Sequence, residues 1–243
     1  MIREQIKDFK GLDHDPDFRW RGTNVTRIEN LSDIIFALAL GMLISGVDAP
    51  RDIVGLREFL WNIFPTALGF TVLLGLWHGH YTFFRRYGVA DRTIIFLNAV
   101  LIFVVLFMAY PLRFAFDSLF AFITADTAKS VEMGVMTWKV AGEFVAFFSL
   151  AYAVAFLIFA LMYGHILKKA DLLSLNAYEI AITKQTRLTR YVQFSIALFT
   201  AGMAYWSPLY PVAGLFHCFF FLAHWLARKR YPSNHLMESH ADT

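Results

Sequence analysis

Six apolar blocks divide this chain, each close to the length of about 20 residues that a helix needs to cross a membrane. They cover residues 26–47, 59–84, 93–111, 144–167, 191–206 and 209–227. The composition agrees, because 58% of the 243 residues are hydrophobic and the mean hydropathy is +0.50. A soluble domain of this length could not bury so much apolar surface. We therefore predict an all-α integral membrane protein with six transmembrane helices per chain.

The loop charges predict how the chain is oriented. A charged N-terminal arm (1–25) precedes the transmembrane domain (26–227), and a charged tail (228–243) follows it. Most Lys and Arg residues lie in the arm, the tail and the loops after the second and fourth spans. By the positive-inside rule, both termini should be cytoplasmic in a multi-pass protein of the inner (plasma) membrane. The last two spans should form a re-entering hairpin, because two prolines break the helix at 207–211.

Other features exclude several classes of protein. The single cysteine, Cys218, lies in an apolar run, so no disulfide framework is expected. The basic pI of about 9.0 comes from loop residues, and anionic membrane lipid is a sufficient partner for them. We therefore expect no nucleic-acid partner. We also expect no enzymatic activity, no catalytic residues, no bound metal and no cofactor.

The first span has two distinct faces on a helical wheel. Leu31, Leu38, Met42 and Ser45 fall within about 40° of one another, with Arg27 near the same line. Gly41 lies beside this stripe, where a neighbouring helix could approach closely or where backbone could be exposed. The stripe could line an ion path, and it could equally be a seam for helix packing.

Two polar residues of the same span point away from that stripe. Ser32 and Asp33 are at a depth similar to that of Trp77, His80 and Asn98 in the second and third spans. A buried carboxylate bonded to a histidine and an asparagine amide would satisfy groups that are costly when unpaired in lipid. We therefore predict a polar clamp between helices, with Asp33 as its buried centre.

These residues also carry a resemblance to a known family. Arg27-x-x-x-Leu31-Ser32-Asp33 is similar to the R-x-x-x-F-S-D signature of the transmembrane protein 175 family, the endosomal and lysosomal potassium channels and their bacterial relatives. Further similarities follow in order along the chain: Ala37–Leu40, Val47–Pro50, Trp77-x-x-His80, Asn98 and Pro111. The resemblance covers residues 27 to 111.

The resemblance implies an architecture and a function. Bacterial members of that family have six spans and assemble as homotetramers around a pore that the first helix lines, without the carbonyl filter loop of ordinary potassium channels. Carried onto this sequence, the hydrophobic constriction is Leu38, and Gly41, Met42 and Ser45 are further pore positions. The implied activity is passive permeation of monovalent cations, with K⁺, Rb⁺ or Cs⁺ passing more easily than Na⁺.

Three departures from the family pattern affect this expectation. Leu31 replaces the motif phenylalanine, and Tyr81 replaces a second histidine. Gly41 stands where the family often has threonine, which removes a ring of hydroxyl groups near the constriction. We therefore expect only modest selectivity for potassium over sodium.

Three alternatives remain open from the sequence alone. Intramembrane histidines could ligate a metal or haem, although they do not converge by spacing: His78, His80, His165, His217 and His224. An ion- or proton-coupled transporter would show inverted repeats and acidic residues at mid-membrane, whereas Glu29 and Asp33 lie near one end of their span. A purely structural protein would use the first-span stripe as a seam between subunits.

Overall fold

A computed structural model describes residues 18–45, 50–124, 138–206 and 213–232. All regular structure within these ranges is helical. The helices are α1 (Arg27–Ser45), α2 (Ile53–Trp61), α3 (Ile63–Tyr87), α4 (Arg92–Ile123), α5 (Trp138–Lys168), α6 (Ala177–Trp206), a 3₁₀ helix (Ala213–Phe219) and α7 (Phe220–Arg230).

Side-chain caps fix where three of these helices begin. Before α1, the backbone N–H and the hydroxyl of Thr26 both donate to Glu29 Oε1 at 2.9 Å. Before α6, the backbone N–H of Asn176 donates to Glu179 Oε2 at 3.0 Å, and the backbone N–H of Glu179 donates to Asn176 Oδ1 at 2.8 Å. Before α4, Asp91 Oδ1 accepts from the backbone N–H groups of Thr93 and Ile94, at 3.0 Å each. Such caps satisfy donors that have no partner inside the helix.

The N-terminal arm docks onto the end of α3 through two glycines. Gly88 ends α3 with a φ of 62°, the left-handed conformation that glycine adopts without strain. A Cβ placed on Gly22 would lie 2.2 Å from the carbonyl oxygen of Phe84, so no other residue fits there. The N–H of Gly22 donates to the carbonyl of Arg85 at 3.0 Å. We call this end of the helix bundle the arm end.

One apolar core runs through the bundle. Helix α1 packs on α3 and α4, α4 packs on α5, and α5 packs along α6, which also contacts α7. The largest fully buried side chains include Phe36, Leu43, Phe83, Met108 and Phe159. Many large apolar residues remain exposed on the outer faces, as expected where lipid takes the place of water.

The predicted spans agree with the structure in part. Among the residues that the structure describes, three stretches are long and apolar enough to cross a membrane: Ile53–Tyr87, Arg92–Asp117 and Gly142–Lys168. Helix α4 contains the third predicted span, 93–111, and continues past Pro111 to Ile123. Proline removes one backbone hydrogen bond, but residues beyond Pro111 still pack in the core, Leu112 among them.

The last two predicted spans also differ from the structure. Helix α6 begins at Ala177, well before the predicted start at 191, because the capping pair of Asn176 and Glu179 starts it there. Within the predicted sixth span, 209–227, the described residues form a 3₁₀ helix from Ala213 that is followed by the 11-residue α7, rather than one continuous α-helix. The predicted proline hinge at 207–211 lies outside the described residues.

Candidate pore-lining helix

Helix α1 leaves Leu31 and Leu38 of the predicted stripe, and the neighbouring Gly41, uncovered within one chain. Leu38 is 51% exposed and Leu31 is 50% exposed. A Cβ placed on Gly41 would have no atom within 4 Å. The opposite face of α1 is buried, with Ser32, Phe36, Ala39 and Leu43 at 1% exposure or less. The two faces are separated because residues three and four apart share one side of a helix.

The other predicted stripe residues behave differently. Met42 is half-buried and packs against the core, so it faces its own chain more than Leu38 does. Ser45 is the last residue of α1, and its side chain lies outside the described residues. Arg27 is exposed at the first turn of α1 and makes no hydrogen bond or ion pair within the described ranges. The family motif also predicts a place for Arg27 in the polar clamp, but it makes no such contact with another helix among the described residues.

A buried polar chain joins α1, α4 and α3. The amide nitrogen of Asn98 donates to Ser32 Oγ at 2.8 Å, and Asn98 Oδ1 lies 2.9 Å from His80 Nε2. Ser32 in turn donates to the carbonyl of Ile28 at 2.8 Å. Since Asn98 Oδ1 can only accept, His80 must carry its proton on Nε2. The chain therefore pairs the Ser32 hydroxyl, both ends of the Asn98 amide and His80 Nε2 in the core, where unpaired polar groups are costly in lipid.

Asp33 is not the buried centre that the sequence predicted. It is exposed, and its Oδ1 accepts from the indole N–H of Trp77 at 2.9 Å. Trp77 itself stacks on Tyr81, with ring centroids 5.6 Å apart. The predicted clamp is therefore two separate contacts, Ser32 with Asn98 of α4 and Asp33 with Trp77 of α3, because consecutive residues on a helix point about 100° apart. Ser32 faces the core and Asp33 faces outward.

Two arginines that the sequence analysis did not assign hold the ends of α1. Arg113 of α4 donates to the carbonyl of Leu43, in the last turn of α1. A cation at this end of a helix also interacts favourably with the helix dipole. At the other end, Arg85 of α3 lies 3.9 Å from the capping carboxylate of Glu29 and donates to the carbonyl of Gly22 at 2.8 Å. Helix α1 is thus fixed at both ends and along its inner face.

A third unassigned arginine ties the arm to α6. Arg21 binds Glu179 through two parallel hydrogen bonds of 2.8 and 2.7 Å, and its remaining donors reach backbone carbonyls of Arg19, Leu173 and Ser174. Burial alone would raise the pKa of the Glu179 carboxyl, but the bonds and charge of Arg21 and the backbone N–H groups of Asn176 and Arg19 together outweigh it and hold that pKa below its usual range. Residues 158 positions apart form this pair, so sequence spacing gave no sign of it.

A second charged cluster lies at the start of α4. Asp91 Oδ2 accepts from Lys169 and lies 2.7 Å from His165 Nε2. Burial raises the pKa of Asp91, but the bonds from Lys169, the backbone and His165 together lower it by more. The Asp91 carboxylate therefore stays ionised. Within the described residues, no group of three or more His, Cys, Asp or Glu side chains could hold a metal ion. His80, His165 and His217 each have another polar contact instead.

Comparison with known proteins gave consistent matches. Residues 27–108 match the family described as "Endosomal/lysosomal potassium channel TMEM175". A protein of Marivirga tractuosa named "Potassium channel" is 32% identical over 204 residues, which is 81% of this chain and 81% of that protein.

Two solved structures resemble the fold. A variant of the potassium channel MtTMEM175, crystallised with a nanobody–MBP fusion protein, matches with a TM-score of 0.70 at 28% identity, over 87% of this chain and 95% of that one. The crystal structure of a lysosomal potassium-selective channel TMEM175 homolog from Chamaesiphon minutus matches at 0.50 and 20% identity, over 82% and 96% of the two chains. The second likeness concerns the fold alone.

Proposed function

The chain belongs to the TMEM175 family of potassium channels, as its 32% identical relative and its family match show, and from this premise we propose that it is a passive, potassium-permeable cation channel. Permeation is driven by the electrochemical gradient and needs no coupled ion. The observation that carries the proposal is the open side of α1 around Leu31, Leu38 and Gly41, which no other part of the described chain covers.

The active form in this proposal is a homotetramer with four copies of α1 around the central axis. In one chain, Ile34 is 64% exposed beside Leu31 and Leu38. Asn30 and Asp33 are exposed on the same helix. A helix surrounded only by lipid would not carry these polar groups on its open side. Contact with sister subunits and an aqueous axis accounts for both the apolar and the polar part of this side.

Leu38 forms a narrow apolar neck in the assembled pore. A ring of leucine side chains offers a cation nothing to replace its hydration shell, so the neck limits flux by wetting and by steric closure. Next to it, backbone at Gly41 and the hydroxyl of Ser45 solvate the ion. Without a filter of carbonyl rings, selectivity follows the cost of dehydration, so K⁺, Rb⁺ and Cs⁺ pass more readily than Na⁺. The selectivity is modest.

The channel lies in the plasma membrane with both termini in the cytoplasm. Basic residues at the arm end support this orientation: α3 ends with Arg85 and Arg86, and α7 ends with Arg228, Lys229 and Arg230. Cytoplasmic ends of membrane helices are enriched in Lys and Arg.

Electrical recording in planar bilayers tests the proposal. The purified full-length protein is placed between equal concentrations of KCl and NaCl. We expect currents whose reversal potential shows a several-fold preference for K⁺ and does not move when a proton gradient is added. A reversal potential that follows the proton gradient would indicate a coupled transporter, and silent bilayers from folded protein would indicate a structural role.

Cysteine modification tests the lining of the pore separately. Cys218 is free and exposed, so Cys218→Ala provides the background. In that background, Leu38→Cys should allow a positively charged thiol reagent to block the current. Ile44→Cys is the matched control, because Ile44 is 53% exposed but lies about 120° away around α1. If the reagent blocked the current of the Ile44→Cys variant and not that of the Leu38→Cys variant, the Ile44 side of α1 would face the pore. That result would contradict the assignment.

A further inference from the structure

A basic pocket lies at the arm end, away from the proposed pore. Its volume is about 440 Å³, and it opens between the first turns of α4, the last turns of α5 and the lower part of α6. The apolar part of its wall includes Leu97, Leu161 and Tyr191, and the basic part includes Lys168 and Arg187. Helix α1 contributes no residue to this wall.

The guanidinium of Arg187 is held in the pocket with unused hydrogen-bonding capacity. Its Nε is buried and has no hydrogen-bond partner. Gly164 makes room for it, since a Cβ there would lie 3.3 Å from that Nε. The guanidinium carbon is 5.5 Å from the centre of the Tyr191 ring. A buried donor left unpaired is costly, so the site favours an acceptor from outside the chain.

No carboxylate neutralises the pocket from within the described residues. Neither Arg187 nor Lys168 forms an ion pair there. Asp91, just before α4, has both oxygens occupied by backbone N–H groups, His165 and Lys169. The charge that the pocket offers is therefore positive and available to a ligand.

The position of the pocket along the membrane normal selects the kind of anion. The apolar stretches of α4 and α5 end at Arg92 and Lys168, and Lys168 lines the pocket. Lipid head groups lie at the level where transmembrane helices become polar. Leu97 of α4 and Leu161 of α5 lie between the basic wall and the apolar part of these two helices, the part that faces lipid acyl chains.

We propose that this pocket binds an anionic phospholipid, with its phosphate at Arg187 and Lys168 and an acyl chain along Leu97 and Leu161. The phosphate oxygens supply the acceptors that Arg187 lacks, and a planar guanidinium suits them well. Basic pockets between transmembrane helices on the cytoplasmic side are suited to such head groups. The lipid would join α4, α5 and α6 at the arm end.

Titration of the detergent-purified full-length protein with dioctanoyl phosphatidylglycerol tests this site, with thermal unfolding as the readout. Dioctanoyl phosphatidylcholine and inorganic phosphate are the comparison ligands. We expect saturable stabilisation by phosphatidylglycerol only. Lys168→Gln and Arg187→Gln should each weaken the apparent affinity by about fivefold, the effect of one basic residue near an anionic head group.

Lys184→Gln is the matched control, because it removes the same charge from an exposed position of α6 outside the pocket. It should leave the affinity unchanged. Lys168 is exposed, so its variant keeps the test usable if Arg187→Gln does not fold. Equal stabilisation by inorganic phosphate would replace the lipid with a free anion, and equal effects of all three variants would show non-specific attraction. Either result overturns the proposal, and neither depends on ion flux, so the proposed channel function stands or falls separately.

Discussion

Asn98 and Ser32 face each other inside the bundle, and the amide nitrogen of Asn98 donates to the hydroxyl of Ser32 at 2.8 Å. Both side chains are fully buried. The bond joins α4 to α1, and His80 extends it to α3. One polar chain thus sets the rotation of α1 about its own axis, which in turn decides which residues α1 leaves open.

Ser32→Ala should destabilise the protein, because it leaves an N–H of Asn98 without an acceptor in the core. We expect a loss of about 1–2 kcal/mol in the free energy of unfolding, measured by thermal or denaturant unfolding in detergent. Ser195→Ala is the control, since that exposed hydroxyl bonds only to its own helix at the carbonyl of Tyr191. Equal losses in the two variants would contradict a special role for the buried chain.

Asp33→Ala should reduce assembly more than it changes conduction per assembled channel. The substitution removes the acceptor for the Trp77 indole on the open side of α1. Native mass spectrometry or light scattering should show fewer tetramers. Trp77→Phe should act in the same direction, and the double variant should be no worse than the stronger single one. Asp33→Asn retains an oxygen at this position and should assemble nearly normally; if it fails as Asp33→Ala does, charge rather than the hydrogen bond is what matters.

Leu38→Ala should raise single-channel conductance, because a smaller side chain widens the apolar neck and makes it easier to wet. Recordings in bilayers under symmetric KCl measure this directly. Ile44→Ala shortens a side chain of similar exposure on another side of α1 and should have little effect. Unchanged conductance of Leu38→Ala would place the neck elsewhere.

Gly41→Thr should increase the preference for K⁺ over Na⁺, since it adds a ring of hydroxyl groups beside the neck. The structure has room for the side chain, as no atom lies within 4 Å of the added Cβ in one chain. Reversal potentials under bi-ionic conditions measure the change. Gly41→Val has nearly the same shape without the hydroxyl; a similar gain in that variant would assign the effect to pore size.

Acid should weaken the attachment of the arm through Glu179. Its folded pKa lies below the free value of 4.5, so the ion pair with Arg21 contributes fully above pH 4.5 and is lost as the pH falls through the lower folded pKa. Glu179→Gln should be less stable than the parent by about 3 kcal/mol near pH 7, and the difference should shrink below pH 4.5. Melting temperatures across that range measure it.

Glu143→Gln is the control for this pH series, because Glu143 makes no ion pair within the described residues. Its melting temperature near pH 7 should stay close to that of the parent. A Glu179→Gln difference that stays constant with pH would mean that the carboxylate charge does not contribute to the attachment.

The sequence by itself determined the membrane class, the helical fold and the motif that identifies the family. These follow from local rules: lipid permits only internally bonded backbone, so long apolar runs become helices, and the Arg27 to Asp33 motif is contiguous. The sequence also indicated which polar residues lie at a similar depth in the membrane. Contacts between helices involve four of them: Ser32, Trp77, His80 and Asn98.

Only the tertiary structure decided which partner each polar residue takes. Ser32 and Asp33 are neighbours in sequence, but packing of α1 on α3 and α4 buries the first and exposes the second. The Arg21–Glu179 pair and the basic pocket likewise combine parts of the chain that are far apart in sequence. Hydropathy specifies how deep a residue lies, whereas the rotation of a helix and its neighbours depend on side-chain packing among all the helices at once.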